Sequence, residues 1–279
     1  MVHHITVLGG DLRQKYLAAR LMAGGFEVET YRVPELPDSA AGLHAAVKNA
    51  EALVLPMPAL TGEGWIRAAE KPIPLIPVLE SVGPGTVVFG GPLDAAAETF
   101  AQYSVILSDY TKSAALAAAN AVPTAEGGIQ LAMERLPVTL SGSRCLVIGY
   151  GRIGKVLAER LLALHAHVTV AARRAESRAL AAALGCRTDR AGVYLEGLRQ
   201  YDCVFNTVPA PVLDSGHLRA MRPDCLIIDL ASSPGALAPE VQPFSAPVYL
   251  TAPGLPGKVA PATAADILYE HIYSALAAL

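Results

Sequence analysis

Cysteine is scarce and scattered in this sequence: Cys145, Cys186, Cys203 and Cys225 are the only four among 279 residues, and no two stand in a C-x-x-C spacing. This excludes a disulfide framework and a thiolate zinc site; three of the four sit in apolar, strand-like runs, where buried free thiols of a reducing compartment are found. An excess of charge is also missing. Lys and Arg number 22 against 25 Asp and Glu, a formal charge of −3, and with no basic run to face a phosphate backbone no nucleic-acid partner is expected. No apolar run approaches the roughly 18 residues that cross a bilayer. The stretch HHITVLGG near the start runs into Gly-Gly-Asp without a small-residue cleavage site, so a soluble, cytoplasmic protein without a membrane partner is expected. The seven histidines form no ligand constellation and His3 and His4 open a strand, so no metal is expected.

What is present is a globular composition, 52% hydrophobic and 17% charged, in a length that suits two domains at about 150 residues each. Short apolar runs alternate with helical stretches: ITVLGG, LRQKYLAARLMAGG, VETYRV, LHAAVKNA, ALVLPMP and VVFGG. A second such series follows Pro137, with RCLVIGYG, a helix over residues 153–164, HVTVAARR, AESRALAAALG, DCVFNTVP, CLIIDLAS and VYLTAPG. Alternation of this kind marks parallel sheets with crossover helices. The fold class is therefore α/β: two Rossmann-like domains with parallel sheets, linked by interdomain helices. The first, flavodoxin-like, spans 1–121 and is completed by a C-terminal helix at 263–279; the nucleotide-binding domain spans 122–262. The linking stretch 111–136 is alanine-rich and broken by Pro123, which predicts one kinked helix or two in succession. In the C-terminal helix Ile267, Leu268, Ile272 and Leu276 share a stripe that suits a brace across the first domain.

The strongest motif is Gly149-Tyr150-Gly151-Arg152-Ile153-Gly154, which follows the apolar strand CLVI and opens a helix. In that context Gly149 permits the turn, Gly151 lets backbone N–H groups approach a pyrophosphate, and Gly154 lets helix and strand pack closely. The helix start adds unpaired amides and a partial positive charge. An NAD site places an acidic side chain at the end of the next strand. Here that strand ends in Ala171, Ala172, Arg173 and Arg174, so NADP is favoured, with NAD still open. Two further strand ends, Asn206-Thr207-Val208-Pro209 and Asp229 with Ala231 and Ser232, are expected to face the cofactor. Turn chemistry explains the same residue types.

Taken together, VLGGDLR at 7–13, NAVPTAEGG at 120–128, the glycine-rich turn, IDLASSPG and GLPGKVAP resemble the A subunits of dipicolinate synthases, over almost the whole chain. The resemblance implies a nicotinamide-dependent oxidoreductase acting in the last step of dipicolinate formation during sporulation. Its substrate would be a 4-hydroxy-tetrahydrodipicolinate, and a flavoprotein-like B subunit would take part. The two-domain layout is also similar to 2-hydroxyacid dehydrogenases, and PTAEGG loosely to S-adenosylhomocysteine hydrolases. A 2-hydroxyacid dehydrogenase would need a histidine paired with a carboxylate, and VYLTAPGLPGK contains no histidine. A non-catalytic, NADP-sensing subunit that regulates a partner enzyme is a further reading, and a homo-oligomer is compatible with either.

Loss of water and two hydrogens from such a ring needs an acid for the leaving hydroxyl, a base for the neighbouring proton and a hydride acceptor; its two carboxylates need cations or N–H groups. Asp11, Arg13, Tyr110 and Lys258 are the candidates for catalysis, and Arg13, Asn120, Thr124, Glu126 and Lys258 for holding substrate in an interdomain cleft. Each has a plainer alternative: Asp11 as a cap of the helix beginning near Leu12, Arg13 and Lys258 as surface charges, Glu126 as the partner of an arginine in the other domain.

Overall fold

The computed structural model describes residues 2–190 and 194–278. The chain divides into two compact units, 1–120 with 260–279, and 121–259. The first begins with β1 (His4–Leu8), α1 (Leu12–Ala23) and β2 (Glu27–Tyr31), followed by α2 (Leu43–Val47) and β3 (Ala52–Val54). A small antiparallel pair, β4 (Trp65–Ile66) and β5 (Ile73–Pro74), precedes α3 (Leu75–Ser81), β6 (Val87–Gly90), α4 (Ala97–Ala101), β7 (Ile106–Asp109) and α5 (Ala114–Ala119). The main sheet is parallel, in the order β2-β1-β3-β6-β7. This is the flavodoxin-like order, whose switch point lies between β1 and β3.

The second unit opens with α6 (Ala121–Arg135), β8 (Arg144–Ile148), α7 (Arg152–Ala163), β9 (His167–Ala171), α8 (Ala175–Ala183) and β10 (Arg187–Asp189). It continues with β11 (Cys203–Asn206), α9 (Ser215–Ala220), β12 (Leu226–Asp229), β13 (Val248–Thr251) and α10 (Leu255–Val259). Its six parallel strands run β10-β9-β8-β11-β12-β13, the dinucleotide-binding order, with the switch point between β8 and β11. The central strands are apolar and buried along most of their length because helices cover both faces. Cys145 and Cys203 face each other in register inside that core. All four cysteines are free and buried, and burial pushes the Cys145 thiol up to about 11.

The last helix, α11 (Pro261–Ala277), returns to the first unit and lies along α1. Ala264, Ala265, Leu268, Tyr269 and Ile272 are its buried positions, with Ile267 and Leu276 half-buried beside them. The Arg20 guanidinium sits over the Tyr269 ring at 4.7 Å and its Nε lies 3.3 Å from Asp266 Oδ1. Among the described residues no helix is long and apolar enough to cross a membrane.

Two sequence expectations need correction. The linking helices part at Asn120, not at Pro123, which lies in the first turn of α6, where a missing N–H breaks no helical bond. The expected boundaries at 121/122 and 262/263 fall inside the first turns of α6 and α11; the compact units part at 120/121 and 259/260. Within GLPGKVAP, residues 255–259 form the short helix α10.

Candidate functional site

The glycine-rich turn after β8 is shaped by three different constraints. Gly149 has a φ of +96°, and a Cβ there would lie 2.5 Å from Thr207 Oγ1 and 2.7 Å from Val208 Cγ2. At Gly154 a Cβ would collide with the Gly149 carbonyl. Packing within the protein therefore explains both residues. Gly151 differs: its φ of −85° suits any residue, and a Cβ there would meet nothing within 4 Å. It is the N-cap of α7 and carries no side-chain cap, so the first amides of that helix have no side-chain acceptor. An open glycine above an uncapped twelve-residue helix leaves room for a pyrophosphate and supplies donors to it, which fits a dinucleotide. Arg152 is exposed at this edge and Ile153 half-buried behind it.

At the end of β9, Ala171 and Ala172 are buried while Arg173 and Arg174 are exposed. The sequence reading missed Arg178, one turn into α8, whose Nη1 donates to Ala172 O at 2.9 Å and Arg173 O at 2.7 Å and so shapes the turn carrying both arginines. It also passed over Asp189, which ends the adjacent β10 in register with Ala171 and accepts from Arg190 N at 2.7 Å. Neighbours across a sheet cannot be read from one strand's sequence.

Asn206 and Asp229, expected to face the cofactor, are buried and turned onto each other. Asn206 Nδ2 donates to Asp229 Oδ1 at 2.7 Å and Val208 O at 2.9 Å, while Asn206 Oδ1 accepts from Val208 N at 3.0 Å. Asp229 also accepts from Ala231 N at 3.1 Å, Ala236 N at 2.6 Å and the Tyr249 hydroxyl. Burial, with the bond to Asp229, pushes the Tyr249 hydroxyl well up. A buried carboxylate needs several donors, and these tie the ends of β11, β12 and β13 together. Thr207 Oγ1 is bonded to Ile148 O at 2.9 Å, and Pro209 and Ser232 are exposed.

In the first unit, the turn after β1 is closed by its own side chains. A Cβ on Gly9 would strike Arg67 O and one on Gly10 the Gln14 carboxamide. Asp11 caps α1 in a reciprocal box: its carboxylate accepts from Arg13 N at 3.0 Å, and Gln14 Oε1 accepts from Asp11 N at 3.2 Å. Arg13 is 6% exposed; its Nε and Nη2 reach Asp11 at 2.9 and 2.7 Å, and Nη2 also donates to Met57 O. Arg13 is therefore no surface charge. Burial works against ionisation of Asp11, but the hydrogen bonds and charge of Arg13 prevail and hold the carboxyl below its ordinary range. Tyr110 is buried edge-on against the His271 ring at 5.6 Å.

Asn120 ends α5 and Thr124 is half-buried in α6. Glu126 is exposed and accepts from Arg160 Nε at 3.2 Å; that arginine belongs to its own unit, not to the other. Lys258 is exposed on α10. Among the described residues no group of three or more His, Cys, Asp and Glu side chains could hold a metal ion.

Residues 4–110 match the family described as the N-terminal domain of the dipicolinate synthase A subunit, and residues 115–234 the D-isomer specific 2-hydroxyacid dehydrogenase, NAD binding domain. The A subunit of dipicolinate synthase from Bacillus subtilis (strain 168) is 32% identical over 98% of this chain and 95% of its own length. The crystal structure of the dipicolinate synthase A chain from Bacillus subtilis superposes with a TM-score of 0.84 at 30% identity, covering 99% of this chain and 96% of that one. That of the dipicolinate synthase A subunit from Bacillus halodurans does so at 0.88 and 28%, covering 99% and 98%. With an NAD-binding dehydrogenase domain behind an N-terminal domain of its own type, the chain belongs to the family of dipicolinate synthase A subunits.

Proposed function

We propose that this chain is the nicotinamide-binding subunit of a cytoplasmic dipicolinate synthase that acts during sporulation, prefers NADP(H), and forms dipicolinate from a 4-hydroxy-tetrahydrodipicolinate together with a flavoprotein-like B subunit. The observation that carries the reading is the open position of Gly151 over the uncapped start of α7, in a chain that aligns with a dipicolinate synthase subunit from end to end. When bound, the nicotinamide would supply a hydride acceptor for oxidation of the ring. The chain's own residues do the rest. The amides following Gly151 hold the pyrophosphate, and Arg173 and Arg174 pair with a 2′-phosphate. The Asn206–Asp229–Tyr249 network keeps the strand ends in place beneath the cofactor. Arg13 and Lys258 are the cations for the substrate's carboxylates, and aromatisation of the ring leaves positioning as the main demand on the protein.

The test is turnover of the precursor by the purified chain with NADP, followed by the ultraviolet absorbance of the pyridine product, with and without the B subunit. Slow or absent product from the chain alone and restored turnover in the pair are expected. Full-rate turnover without the partner overturns the partnership, and equal affinity for NADPH and NADH overturns the cofactor preference. Cofactor binding with no turnover in either arrangement returns the chain to a sensing role.

A further inference from the structure

Among the described residues, two buried hydrogen-bond donors, on the first turn of α1 and at Tyr110, have no acceptor, and one guanidinium nitrogen of Arg13 is uncommitted. Tyr110 is fully buried, and its hydroxyl has no hydrogen-bond partner among the described residues. Gln14 is equally buried; its Oε1 closes the capping box, but its Nε2 has no acceptor there. Arg13 commits Nε and Nη2 to Asp11 and Met57 and leaves Nη1, with two hydrogens, unassigned. Buried polar atoms are paired in the great majority of cases, and each unpaired one carries the cost of its lost hydration. Arg13 and Gln14 are consecutive on one helical turn, and the Arg13 charge acts on the Tyr110 hydroxyl. Two orphaned buried donors, one beside Arg13 on the same helical turn and one within the field of its charge, together with an uncommitted guanidinium nitrogen, call for a ligand that is all acceptor, and a carboxylate offers about four lone-pair sites.

We propose that Arg13 Nη1, Tyr110 Oη and Gln14 Nε2 form a subsite on the first unit that binds one carboxylate of the substrate, with Tyr110 serving as a hydrogen-bond donor and not as an acid or base. The inference rests on the reading of the substrate as a dicarboxylate. Burial pushes the Tyr110 hydroxyl far up, against a smaller pull from Arg13, so it keeps its proton at any working pH. That suits a fixed donor and disqualifies a proton shuttle. Asp11 does not stand in the way. It occupies the Nε–Nη2 edge of the guanidinium, and the Nη1 edge is the one left for a second carboxylate.

Tyr110→Phe deletes only the idle hydroxyl. Calorimetric titration with pyridine-2,6-dicarboxylate, beside NADPH titration and thermal unfolding of the same samples, reads the consequence. The native chain is expected to bind the dicarboxylate and Tyr110→Phe to bind it about tenfold more weakly. The melting temperature of the variant should be equal or higher, because an unpaired buried donor has gone, and NADPH affinity should stay within twofold. Gln14→Met should weaken the dicarboxylate similarly while lowering the melting temperature, because it also removes the capping acceptor. A purely structural tyrosine would change stability and leave the titration alone. If Tyr110→Phe binds the dicarboxylate as the native chain does, the subsite is wrong and the reading of the substrate survives; if the native chain binds no dicarboxylate with or without NADPH, both fall.

Discussion

Two glycine-rich turns, one in each unit, join the first strand of a parallel sheet to a twelve-residue helix, and they differ in how the helix start is capped. After β8 the N-cap is Gly151, which leaves the helix amides open. After β1 it is Asp11, whose carboxylate and partners Gln14 and Arg13 satisfy the helix start from within. A helix N-terminus attracts anions in both settings. The difference teaches that the backbone fixes where an anion can sit, while the cap residue decides whether the protein fills that place itself.

The comparison breaks most directly at Gly151. Gly151→Asp supplies the second turn with the carboxylate of the first, and NADPH affinity should fall at least about a hundredfold, near 2.7 kcal/mol. Unfolding stability should stay equal or rise by a few tenths of a kcal/mol, roughly the preference of Asp over Gly at a cap. Calorimetry with chemical denaturation of the same samples checks both, and retained NADPH binding would place the pyrophosphate elsewhere. The Arg173→Ala, Arg174→Ala double variant comes next: loss of charge-assisted contacts should cost NADPH about 1.5–3 kcal/mol and leave NADH almost unchanged.

Opening the first turn should be felt as stability. Asp11→Ala removes the cap and strips a buried arginine of its partner, for a loss of about 1–2 kcal/mol in denaturant unfolding. Because the Asp11 carboxyl is held below its unfolded value, its ionised form contributes stability above that value and loses it as pH falls through the folded one. The native chain should therefore weaken on acidification by a component that the variant lacks. Smallest is Lys258→Met on exposed α10: stability should stay within about 0.5 kcal/mol, and an effect, if Lys258 holds substrate, should be confined to the Michaelis constant.

The nucleotide turn was legible because its signals are local. A strand of buried aliphatics, three glycines at fixed offsets and a helix with apolar residues on one face lie within about 20 consecutive residues, and each has one physical meaning there. Asn206 and Asp229 show where such reading stops. Their positions at the ends of parallel strands suit contact with a ligand, yet the two side chains are buried against each other. Tyr249, which completes that network, lies 20 residues beyond Asp229 on the neighbouring strand and carries no signal of its own.

From the sequence alone follow the alternation of strands and helices, the two parallel sheets and the dinucleotide turn, because period and glycine conformation depend on residues within a few positions of one another. Only the tertiary structure decided which polar side chains are left over. That Arg13 is buried and held by Met57, that Gln14 Nε2 and the Tyr110 hydroxyl have no hydrogen-bond partner among the described residues, and that Gly151 alone of the three glycines faces open space are facts about groups that meet across the fold. Hydrogen-bond satisfaction is counted over a whole three-dimensional neighbourhood, and spacing along the chain does not contain that count.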